Sequence, residues 1–88
     1  MKIVLSPRAE KELKSVSKID QIAIVRKIKS IPKSSYSRKI EKLKGYKNIF
    51  RLRIDNYRIV YRKKAKEIYI ILIGHRKDIY SILKRLLK

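Results

Sequence analysis

Arginine carries most of the chemistry this chain can offer. Arg51 and Arg53 alternate with Phe50, Leu52 and Ile54, and Arg58 and Arg62 sit among Tyr57, Ile59, Val60 and Tyr61. Strict alternation is the mark of a half-buried strand. Between the two runs lies Asp55-Asn56, a two-residue turn candidate because both residue types tolerate positive φ. Folded as a hairpin, the register follows: Ile54 faces Tyr57, Arg53 faces Arg58, Leu52 faces Ile59, Arg51 faces Val60 and Phe50 faces Tyr61. One face is then apolar or aromatic. The other carries Arg51, Arg53, Arg58 and Arg62. Like charges directly opposite on a sheet cost about 0.2–1 kcal/mol per pair, and a polyanion laid across that face relieves the cost. The planar guanidinium fork suits phosphate. The competing reading is a solvated basic face with no ligand.

The remaining inventory narrows the chemistry. There is one histidine, His75, and no cysteine, so a multi-histidine metal site and thiol chemistry are excluded. The only glycines are Gly45 and Gly74, too few for a glycine-rich phosphate loop. The carboxylates of the second half, Glu41, Asp55, Glu67 and Asp78, form no obvious pair, which argues against a two-metal nuclease. One reaction fits what is left. RNA carries its own nucleophile, the 2′-hydroxyl. An enzyme need only align it, accept its proton, stabilise the crowded phosphate and protonate the leaving 5′-oxygen. Arginines suit the phosphate work. His75 has the side chain whose ordinary pKa lies nearest neutrality, and as an alternative it is an ordinary polar residue at a strand end. Tyr80 falls off the apolar stripe of the last helix, and alone it reads as a half-buried packing residue.

These side chains need elements to position them. Ile3-Val4-Leu5 reads as a first strand, and Ser6-Pro7 as an N-cap with proline at the first helical position. Ala9, Leu13 and Val16 recur at helical spacing over Pro7 to about Ser15. Ile19 to Ile31 is a second helix, with Ile22, Val25, Ile28 and Ile31 as its stripe, Ile24 widening it and Pro32 ending it. The two helices are expected to form an antiparallel hairpin packed on the apolar sheet face. Lys33 to Ser37 reads as loop, and Arg38 to Leu43 as a short helical or extended edge. Lys63 to Lys66 is a hairpin loop. The near-continuous run Ile68 to Ile73 suits a central strand buried on both faces and paired with the first. Asp78 is a candidate N-cap for a final amphipathic helix with Ile79, Ile82, Leu83 and Leu86. The expected architecture is α+β: an N-terminal strand, a helical hairpin on a small antiparallel sheet, and a short C-terminal helix. Residues 1–88 are expected to form one domain.

Composition points to partners. Twenty-six Lys and Arg against seven Asp and Glu give a formal charge of +19, and 44% of residues are hydrophobic. Such a chain is globular, and its charge asks for nucleic acid or an acidic protein. No run reaches the length of a membrane span, and the opening apolar run is too short for a signal peptide. The cytoplasm is the expected location.

Taken together, Leu43-Lys44-Gly45, Phe50-Arg51-Leu52-Arg53, Tyr57-Arg58-Ile59-Val60-Tyr61 and Ile73-Gly74-His75-Arg76-Lys77-Asp78-Ile79-Tyr80 resemble the RelE toxins of toxin–antitoxin modules. The resemblance covers essentially the whole chain and shares its order of elements. It implies a metal-independent endoribonuclease that needs no cofactor and cleaves mRNA in the ribosomal A site. It places catalytic roles on Arg51, Arg53, Arg58, Arg76 and Tyr80, with His75 in second rank. The best-known members have lysines where Arg51 and Arg53 stand, and arginine holds its proton more firmly. The resemblance also implies an acidic RelB-type antitoxin and, through that complex, operator DNA. The alternatives are a non-catalytic basic RNA- or ribosome-binding module and an inactive toxin homologue.

Overall fold

The structure is a computed structural model, which describes residues 1–33 and 39–86. The sequence reading of Ser34 to Arg38, and of the last two residues, lies outside them. In order the elements are β1 (Lys2–Leu5), α1 (Pro7–Ser15), α2 (Lys18–Ser30), a 3₁₀ turn (Ile31–Lys33), β2 (Ile40–Lys42), β3 (Ile49–Ile54), β4 (Tyr57–Lys63), β5 (Glu67–His75) and α3 (Ile79–Leu86). The five strands form one sheet in the order β1-β5-β4-β3-β2. β1 runs parallel to β5, and every other neighbouring pair is antiparallel. The predicted hairpin register holds at each pair, from Ile54 opposite Tyr57 to Phe50 opposite Tyr61. Asp55 takes the positive φ (48°) that the turn needs. Of the stretch read as a short helical or extended edge, Ile40–Lys42 is extended, as β2.

Both sheet faces are covered, which is why β5 reads as an unbroken apolar run. On one face Ala9 of α1 and Ile24 and Ile28 of α2 pack on Leu52, Ile54, Ile59, Tyr61, Ile68, Ile70 and Ile73. On the other, Ile79 and Leu83 of α3 pack on Ile49, Val60, Ile71 and Leu72. A β-bulge makes this two-sided burial work. Val60 pairs with Leu72 while Tyr61 pairs with Ile70, leaving Ile71 as the extra residue. Its carbonyl, left out of the ladder, accepts a hydrogen bond from buried Ser6 Oγ at 2.7 Å. The same hydroxyl oxygen accepts from Ala9 N at 2.9 Å. Ser6 thus caps α1 and fastens it to the bulge. Beyond β1, Glu12 Oε1 of α1 accepts from Ile73 N at 2.9 Å.

The helical stripe of α2 sits differently from the one the spacing suggests. Ile24, Ile28 and Ile31 are buried, whereas Ile22 is 57% exposed and Ile19 is 81% exposed. The buried line is the i, i+4 series through Ile24, and the stripe through Ile22 is rotated away from the sheet. Lys33, expected in a loop, closes the 3₁₀ turn.

Tyr61 is buried against the helices and stacks on Phe50 with ring centres 5.5 Å apart. Burial pushes its phenol up from 10.0 to about 12. The folded value lies above the unfolded one. Its contribution to stability is therefore fully present below pH 10 and is lost as pH rises through about 12. Unfolding measured across that alkaline range should show a loss of stability that is smaller for Tyr61→Phe. Parallel curves for the two proteins would refute it.

Candidate active site

Arg51 and Arg53 reach the α3 side of the sheet from β3, and Arg58 reaches it from the start of β4. Arg53 and Arg58 are direct cross-strand partners, and Arg58's partner on β5 is Gly74. Gly74 has a packing reason: a Cβ there would stand 3.0 Å from Ile79 Cδ1, so a side chain would press on the start of α3. Arg76 follows β5 and is tied to the β3–β4 turn by its backbone N–H, which donates to Asn56 O at 2.8 Å. Tyr80, the second residue of α3, is 50% exposed. Its ring lies over Arg51, with Cζ 5.3 Å from the ring centre, within cation–π range.

The electrostatics show that the arginines share one neighbourhood. Arg58 lies below the usual arginine range, first through partial burial and then through repulsion from Arg51, Arg53 and Arg76. It persists because its Nη1 donates to Asp55 O and Tyr57 O, both at 2.9 Å. Arg51 is held otherwise. Its side chain is only 12% exposed and its Nη2 pairs with Glu41 Oε2 at 2.7 Å. Its Nε is buried with no hydrogen-bond partner. An unsatisfied buried donor costs about 1–3 kcal/mol, a cost that an incoming phosphate oxygen could lift only after side-chain movement.

Glu41, the ion-pair partner of Arg51 in the candidate site, is a residue that sequence reasoning missed. The signal was its register opposite Arg51, invisible until Ile40–Lys42 was known to be a strand. Two other expectations separate from the cluster. Arg62 shares the sheet face but stands beyond Val60, beside Ser6, Arg8 and Leu86. His75 faces the opposite side, edge-on to Tyr57 at 6.4 Å, with its Nδ1 accepting from Lys77 N at 3.2 Å. Strand alternation explains this, since Gly74 takes the α3 side and its neighbour must take the other. Among the described residues no group of three or more His, Cys, Asp or Glu could hold a metal ion.

Comparison with known proteins shows the family and the fold. Residues 3–80 match the family described as the ParE toxin of the type II toxin–antitoxin system parDE. A curated relative, Toxin RelE3 of Methanocaldococcus jannaschii, is 43% identical over 42 residues, 48% of this chain and 48% of that protein. The match thus spans about half the length of this relative. Among solved structures, the RelB–RelE antitoxin–toxin complex from Methanococcus jannaschii superposes with a TM-score of 0.72 at 30% identity, covering 88% of this chain and 94% of that one. The isolated E. coli RelE toxin superposes at 0.73 with 19% identity over 99% and 98% of the two chains; at that identity the likeness concerns the fold.

Proposed function

Because this chain belongs to the RelE/ParE toxin family of type II toxin–antitoxin systems, we propose that its arginine face cuts messenger RNA in the decoding site of the ribosome. The observation that supports this reading is the placing of Arg58 directly opposite Arg53, where Arg51, Arg53 and Arg76 all repel it, with the exposed Tyr80 ring over Arg51. Four guanidinium groups kept together against their own charge form a phosphate grip waiting for its anion.

The chemistry follows from RNA itself. The 2′-oxygen attacks phosphorus in line, the bond from phosphorus to the 5′-oxygen breaks, and a 2′,3′-cyclic phosphate forms. Arg51, Arg53 and Arg76 stabilise the charge that builds on the equatorial oxygens. Arg58, whose hold on its proton is loosened by burial and by the neighbouring arginines, gives a proton to the leaving 5′-oxygen. The 2′-proton needs an acceptor. His75 lies across the sheet, so the reading assigns this role to the Glu41 carboxylate, ion-paired with Arg51 at the rim. Tyr80 holds the nucleotide by stacking. No step calls for a metal ion or a cofactor.

The same reading supplies a second partner. A solved relative is a complex of RelE with the antitoxin RelB, and a chain of +19 suits an acidic RelB-type antitoxin that neutralises the face. Binding to operator DNA would come through that complex. No helix among the described residues is long and apolar enough to cross a membrane.

Toeprinting on ribosomes programmed with mRNA tests the proposal. Wild type should cut the message, and Arg76→Ala and Tyr80→Ala, which loses the stacking ring, should cut more slowly. Equal cutting by all three would reject the site. A wild type that binds ribosomes without cutting would favour a non-catalytic RNA-binding module or an inactive homologue.

A further inference from the structure

RNA gripped at the arginine cluster must continue past it, and one exit has the right lining. A recess of about 460 Å³ lies between the β2–β3 connection and α3. Tyr80 belongs to both sites: its ring covers Arg51 and also walls the recess. The floor is Leu43 and Leu83, both buried, with Tyr46 half-buried against the same core. The rim carries the exposed ammonium groups of Lys44 and Lys84. The connection is shaped to present these groups. Leu43 N donates to Ile49 O at 3.0 Å, Gly45 takes φ 83° and Asn48 φ 59°.

Two aromatic rings over an apolar floor, with cations at the edge, are what a single-stranded nucleic acid requires: a flat surface for a base and positive charge for the flanking phosphate. No carboxylate among the described residues lines the recess. The recess across the sheet, on the α2 side, differs. There Asp20 and Asp55 stand with Asn56, Tyr57 and His75, and two carboxylates repel a phosphate chain.

We propose that the Tyr46–Tyr80 recess is a nucleotide subsite. It takes the base of the nucleotide next to the scissile phosphate, stacked on the two tyrosine rings, and Lys44 and Lys84 hold that nucleotide's outer phosphate. The subsite rests on the RNA-cleaving function proposed above.

Fluorescence anisotropy with the full chain and short 2′-O-methyl RNAs, which cannot be cut, tests it apart from catalysis. Tyr46→Ala should weaken binding about tenfold, the scale of removing one base stack. Tyr46→Phe should bind as wild type, because stacking needs the ring and not the hydroxyl. The double variant Lys44→Ala/Lys84→Ala changes only exposed positions and so guards against a folding artefact. It should lower the slope of log affinity against log salt by about 0.7 for each phosphate that the lysines no longer neutralise. Arg76→Ala separates the two ideas. If it weakens binding while the Tyr46 and lysine variants match wild type, the arginine grip stands and the subsite is overturned. If wild type binds none of these RNAs and cuts no message on ribosomes, the parent reading fails and takes the subsite with it.

Discussion

Arg58→Ala should lower the rate of mRNA cleavage on programmed ribosomes by about 10²–10⁴, the contribution of one positioned general acid. Its position explains the size. Arg58 sits among the other three arginines, anchored to the carbonyl oxygens of Asp55 and Tyr57, and Arg51 is held away from its place by the pair with Glu41. Stability should fall by no more than about 3 kcal/mol. The variant loses hydrogen bonds to partly exposed carbonyls, each worth about 0.5–1.5 kcal/mol, and escapes repulsion from Arg53, its direct cross-strand partner, of about 0.2–1 kcal/mol. Arg58→Lys should recover only part of the rate, because an ammonium can give a proton but lacks the planar fork whose Nη1 is fixed on Asp55 O and Tyr57 O. Single-turnover cleavage measured beside urea unfolding would decide the matter. Wild-type cleavage by Arg58→Ala, or cleavage lost in step with the fold, would remove Arg58 from the chemistry.

That separation of activity from stability reflects how the site is made. The arginines are legible from the sequence because strand alternation is a local rule: Arg51, Arg53 and Arg58 had to share a face once the Asp55-Asn56 turn set the register. Arg76 and Tyr80 are legible only through the family resemblance, since they arrive from a turn and a helix that tertiary packing brings back to the hairpin. Glu41 lay hidden because a strand of three residues carries too little periodicity to announce itself. His75 was eligible on chemistry alone. Its parity on β5 sends it to the other face, and parity along a strand cannot be counted across an unseen bulge at Ile71. What covers the arginine face is not legible in the sequence. Half of that face lies under α3, because Ile49 and Val60 sit on the same side as the arginines, and alternation does not say which helix will come to cover them.

The α2 helix gives the sharpest contrast between pattern and packing. Ile24→Ala should destabilise the protein by about 2–5 kcal/mol, the range for removing a large side chain from a filled core. Ile22→Ala, two residues earlier, should change stability by no more than about 0.5 kcal/mol. Both isoleucines belong to the apolar series that spacing alone assigns to the core. Ile24 is fully buried against the sheet and Ile22 is 57% exposed, so the first deletion leaves a cavity and the second leaves water where water already was. Small domains typically have about 5–15 kcal/mol in all, and the self-repulsion of +19 charges works against this one. Ile24→Ala should therefore sit near the edge of folding at low salt. Added sulfate should recover part of the loss by strengthening burial of apolar surface and screening the like charges. Urea midpoints followed by circular dichroism, with and without sulfate, give the comparison directly. Equal costs for the two substitutions would mean that α2 meets the sheet through the stripe of Ile22, and the buried line through Ile24 would have to be abandoned.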